Sequence, residues 1–142
     1  MKEYIKPAQM GVKTVMLGGL LFASSISSAA LNCQKLTNNL HSMDCIQQQF
    51  YLSAKALELK QDILESSITS AYSADRKLAM ALLSATREAQ TAWLHYRDKQ
   101  CEVSVFEIEE GSPAYETSKQ ACMIGLNQQR IEQLEVLAHN YE

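Results

Sequence analysis

Trp93-Leu94-His95-Tyr96-Arg97-Asp98-Lys99-Gln100-Cys101 is the stretch that decides how the chain folds. Tyr96, Arg97 and Cys101 follow Trp93 at spacings of three, four and eight, which gathers all four on one side of a single helix. A second cysteine, Cys122, stands beyond a Gly111-Ser112-Pro113 break. A bridge between Cys101 and Cys122 would fasten this helix to the next. The pattern extends outward, because Leu78, Leu82, Ala85, Ala89, Val103 and Phe106 continue the helical spacing and neither Pro nor Gly occurs between Arg76 and Glu110. This predicts one helix of about thirty residues that stops at Gly111, with Ser73 as its N-cap and Asp75 in its first turn.

Upstream, Ile46, Phe50, Ala54, Leu57, Leu64 and Ile68 predict an amphipathic helix over residues 43–71, capped by Ser42 with Asp44 at its positive end. Residues 31–42 read as a loop with one helical turn. Downstream, Ser112 followed by Pro113 opens a helix over 113–140 whose seam carries Tyr115, Cys122, Leu126, Leu134, Leu137 and Tyr141. Arg130 falls in the same stripe, where a charge needs a partner. Asp98 or Glu102 on the preceding helix is expected to supply it. The fold expected is an all-α antiparallel three-helix bundle with short connections.

The first thirty residues stand apart. Lys2, Lys6 and Lys13 precede a short apolar run, Thr14 to Ala23, and Ser27-Ser28-Ala29-Ala30 supplies small residues suited to cleavage. That is the pattern of a secretory signal peptide over 1–30, cleaved near Ala29 or Ala30, leaving a domain over 31–142. The apolar run is about half of the roughly 20 residues a membrane span needs. Without residues 1–30, the 13 basic and 16 acidic residues of the chain lose three lysines and Glu3, so the net charge moves from −3 to −5. An acidic surface disfavours nucleic acid and anionic membranes and suits a basic partner.

All four cysteines lie beyond residue 30. An even count in a small exported domain reads as disulfides, and no C-x-x-C or Cys/His cluster offers a metal site. Three connectivities are open. The local one, Cys33 with Cys45 and Cys101 with Cys122, is preferred because each pair flanks its own break in structure. The expected location is the periplasm or the exterior.

Little else carries chemistry. His41, His95 and His139 have no nucleophile at a catalytic spacing, and phosphate loops and zinc motifs are absent from the sequence. Glu107, Glu109 and Glu110 at a helix end form a solvated face rather than a glycosidase pair, whose members oppose each other across a cleft. No enzyme and no cofactor is expected. The Trp93, Tyr96, Arg97, Asp98 cluster has two readings: a core tryptophan with Arg97 or Asp98 paired to the next helix, or an exposed binding hot spot. A disulfide two turns along favours the first, since it needs the helices close there.

The whole pattern, C-x(11)-C from Cys33 to Cys45, W-x-x-Y-R-D-x-x-C from Trp93 to Cys101, then Gly111-Ser112 and C-x(7)-R-x-x-x-L from Cys122 through Arg130 to Leu134, resembles the LprI-type lysozyme inhibitor family. Asn127 stands where threonine is common in that family. The resemblance implies an envelope or secreted protein that binds lysozyme and blocks peptidoglycan cleavage. Binding is expected at the acidic turn, through Glu107, Glu109, Glu110, Ser112 and Tyr115, with a non-catalytic immunity-type protein for another basic envelope partner as the alternative.

Overall fold

A computed structural model of the chain describes Cys33 and residues 39–141, and the signal peptide expected over 1–30 lies outside the described residues. Three helices follow one another: α1 (Asn39–Ala71), α2 (Arg76–Ser104) and α3 (Pro113–His139). The disulfides are Cys33–Cys45 and Cys101–Cys122, the local pairing. Contacts between the helices set their directions. Cys101, Arg97 and Gln90 on α2 meet Cys122, Asn127 and Arg130 on α3 in reverse order, so α2 and α3 are antiparallel. Ser53 and Lys60 on α1 meet Asn127 and Glu135 in the same order, so α1 and α3 run parallel. The expected bundle is the one observed.

The centre of the core belongs to α1 and α3. Leu57, Leu64 and Ile68 of α1 pack with Leu134 and Ala138 of α3, all nearly inaccessible to solvent. Helix α2 adds half-buried Leu82, Leu83, Trp93 and Leu94. Several positions of its predicted seam lie outside this contact. Leu78, Ala85, Ala89, Tyr96, Val103 and Phe106 are exposed. Alanine at 85 and 89 is too short to reach the α1–α3 pair, and the space it leaves becomes a groove.

At the other end of α2, a continuous polar chain crosses all three helices. Arg97 Nη1 donates to Asn127 Oδ1 (2.9 Å), Asn127 Nδ2 donates to Ser53 Oγ (3.0 Å), and Ser53 Oγ donates to the Phe50 carbonyl (2.8 Å). Asn127 is wholly buried, and Arg97 is 9% exposed. Arg97 also donates through Nε and Nη2 to Asp98 Oδ1, so its charge is neutralised beside it.

Helix boundaries differ from the sequence expectation in three places. Helix α1 begins at Asn39 rather than 43, so Ser42 lies inside it and donates to the Cys33 carbonyl instead of capping. Asp75 rather than Ser73 caps α2, its carboxylate accepting from Leu78 N at 3.0 Å, which an anion at a helix N-terminus does well. Helix α2 ends at Ser104 rather than near Gly111. Glu107, Glu109 and Glu110 would place three negative charges on the negative end of a longer helix, and Val103, Val105 and Ile108 are β-branched.

Replacing Asn127 with Ala strands a buried guanidinium nitrogen of Arg97 and removes the donor to the Ser53 hydroxyl, which keeps its own bond to the Phe50 carbonyl. The unfolding free energy from urea titration should fall by about 3 kcal/mol; a loss within about 0.5 kcal/mol would show the polar chain to be dispensable. A second outcome concerns Arg87, which bonds Glu65 across α1 and α2 at 2.6 Å. The Arg87 hydrogen bonds hold the Glu65 carboxyl below its ordinary 4.5. A carboxyl depressed in the folded state stabilises above its unfolded value and ceases to do so as pH falls through the folded one. Urea midpoints of Glu65→Gln and the unchanged protein should therefore differ at pH 6 and converge as the pH drops below 4.5; a constant gap would show that the contact is not ionic.

Candidate functional site

Cys101, which is wholly buried, clamps the last turn of α2 to Cys122 of α3. Four residues on, Val105 is also buried and closes the helix, its N–H reaching the Glu102 carbonyl. From this anchored base the chain turns outward through 106–112. Phe106 N donates to Val103 O, Ile108 N to Val105 O and Ser112 N to Glu109 O, so the turn is held by its own backbone. Gly111 has φ +78°, a left-handed conformation that glycine adopts without a Cβ penalty. Ser112 then caps α3, its Oγ accepting from Tyr115 N at 3.1 Å, with Pro113 in the first turn and Glu116 at the positive end.

What this turn shows to solvent is unusual in kind. Phe106 is 86% exposed and Val103, one helical turn earlier, 69%. Glu107, Glu109 and Glu110 are exposed beside them and make no ion pair among the described residues. Glu102 differs, because Lys99 (2.7 Å) and Lys119 (3.4 Å) pair with it, and the Lys99 bond holds its carboxyl below the ordinary range. Lys119 lies 5.7 Å over the half-buried Tyr115 ring. The cations at this end are thus engaged, while three carboxylates and a phenyl ring are not. Sequence periodicity placed Phe106 in the bundle seam, and only the early end of α2 turns it outward.

The expected cluster around Trp93 divides differently. Trp93 is half-buried against the core, Tyr96 is exposed, and Arg97 reaches α3 through Asn127 while Asp98 serves Arg97. The pairing of Arg97 to the next helix agrees with the core reading, whereas Tyr96 lies outside the core. Arg130 contradicts its expectation: neither Asp98 nor Glu102 meets it. Its Nε donates to Gln90 Oε1 (3.0 Å) and its Nη1 to Gln133 Oε1 (3.1 Å), with the guanidinium carbon 5.6 Å over the Trp93 ring. Asp98 is taken by Arg97 and Glu102 by the lysines, which leaves Arg130 neutral amides. Burial pushes its guanidinium below the ordinary arginine value. No group of three or more His, Cys, Asp or Glu among the described residues could hold a metal, and no described helix is long and apolar enough to cross a membrane.

The fold and this end define a small helical body, clamped by two disulfides, from which an acidic turn projects. The family model for lysozyme inhibitor LprI matches residues 33–134, and the chain belongs to that family. Among solved structures, a DUF1311 family protein from Pseudomonas putida superposes with a TM-score of 0.63 at 20% identity, over 75% of this chain and 97% of that one, which shows the shared fold. No curated protein matches the chain.

The clamp at the base of the turn should carry much of the local stability. Replacing Cys101 and Cys122 together with Ala should lower the unfolding free energy by about 3 kcal/mol and expose residues 105–112 to proteolysis before the rest. Equal stability with an uncut turn would show that the bridge does not hold it.

Proposed function

We propose that this protein is an exported inhibitor that binds lysozyme through the 103–115 end of the bundle. The observation that carries the reading is the exposed Phe106 set among three unpaired carboxylates, Glu107, Glu109 and Glu110, on a turn braced by a disulfide. An aromatic anchor ringed by charge is the composition of a binding hot spot, and a braced turn loses little conformational freedom on association. Two disulfides agree with residence outside the cytosol, where such bonds persist. Animal-type lysozymes are basic, and clustered negative charge steers a basic partner to this end of the molecule. Phe106 enters the lysozyme cleft while Glu107, Glu109 and Glu110 meet its basic rim, and Ser112 and Tyr115 border the contact. Substrate is then excluded by occupancy, without chemistry on the part of the inhibitor.

The test is inhibition of a basic lysozyme on peptidoglycan by the oxidised protein. Phe106→Ala should weaken inhibition by about 30-fold, the scale of a central anchor. Glu107→Gln, Glu109→Gln and Glu110→Gln combined should weaken it at low salt and flatten its dependence on ionic strength. Undiminished inhibition by both variants would move the contact elsewhere on the bundle.

A further inference from the structure

A second feature lies away from this end. Between the middle of α2 and the α1–α3 pair runs a groove of about 250 Å³, walled by Leu64, Ile68, Leu82, Leu134 and Leu137. It exists because Ala85 and Ala89 stand where larger residues would close the bundle. One charged side chain lines it, Arg130. That guanidinium has no carboxylate partner, is held by Gln90 and Gln133 through Nε and Nη1, and bears no bond on Nη2 among the described residues. Its other face rests on Trp93. Arg97, the second guanidinium against the same indole, is neutralised by Asp98 and so leaves Arg130 as the uncompensated charge.

A half-buried cation without a counter-ion at an apolar groove is complementary to an anion with an apolar tail. We propose that the groove binds a medium-chain aliphatic carboxylate, its head on Arg130 and its chain along Ile68 and Leu134. The volume sets the length. It lies just below the roughly 300–1,000 Å³ of drug-sized pockets, which suits a chain near eight carbons and excludes a long acyl chain from full burial. Gln90 and Gln133 hold the guanidinium in place before the ligand arrives, with the Trp93 ring 5.6 Å away. The binding neither requires nor uses lysozyme.

Trp93 is the one tryptophan of the chain, so its emission reports on the Arg130 head site directly. Oxidised protein is titrated with sodium octanoate below its micellar concentration, and in parallel with 1-octanol and with acetate. Octanoate should change the emission saturably, with octanol and acetate at least tenfold weaker. Arg130→Gln should weaken octanoate at least tenfold and leave octanol unchanged. Because that substitution also removes two hydrogen bonds, Ala89→Phe serves as a second variant: it starts from an exposed position, fills the groove and should block octanoate with Arg130 intact. Octanoate that fails to saturate, binds no better than octanol, or binds Arg130→Gln as well as the unchanged protein overturns the proposal. So does a dimer that excludes octanoate and dissociates on Ala89→Phe, since a second copy of the chain would then be the occupant. Lysozyme inhibition is measured separately, and its loss or survival does not alter these outcomes.

Discussion

The buried amide of Asn127 is the constraint from which the arrangement of the bundle follows. Its oxygen accepts from Arg97 on α2 and its nitrogen donates to Ser53 on α1, so one side chain on α3 satisfies a neighbour on each other helix. Apolar packing is tolerant of small slides between helices, but a buried amide is not. A shift of one residue would leave a buried guanidinium nitrogen and the Asn127 amide without their partners, at a cost of several kcal/mol. The register of three helices is thereby set at one level. The Cys101–Cys122 bridge, one helical turn from Arg97, holds the same level covalently.

With α2 gripped there, the rest of its course is determined. At its start it is tied by the short 72–75 turn and, further along, by the Glu65–Arg87 contact. Between these points Leu82, Leu83, Trp93 and Leu94 reach the α1–α3 core while the exposed Ala85 and Ala89 do not, which leaves the groove beside Arg130. Beyond the grip it has one turn left before Val105 closes it, and the acidic turn with Phe106 projects from that rigid base. The two surfaces of interest therefore have a common cause. One lies where a disulfide fastens the helices and the other where short side chains leave a gap between them.

Much of this was legible in the residues. Helical periodicity, the Gly111-Ser112-Pro113 break and an even cysteine count are local signals, and they implied three helices and two local bridges correctly. The misreadings share a feature. Phe106 continued an apolar pattern perfectly well, yet clustered glutamates ended the helix before it. Arg130 needed a partner by any sequence argument, yet both nearby carboxylates were already committed, Asp98 to Arg97 and Glu102 to Lys99 and Lys119. Competition for a partner is a property of positions in space, and spacing along one helix does not reveal it. Asn127 illustrates the same point, since a lone polar residue in a seam carries no sign of which groups will face it.

By itself the sequence determined the class of fold, favoured the local cysteine pairing among three, and carried the family resemblance, because periodicity, helix breaks and motif spacing are written along the chain. Only the tertiary structure decided which polar groups meet across helices, which side chains of α2 reach the core, and which ring and charges remain outside. Those outcomes depend on three helices competing for the same interior at once, and that competition is settled by packing.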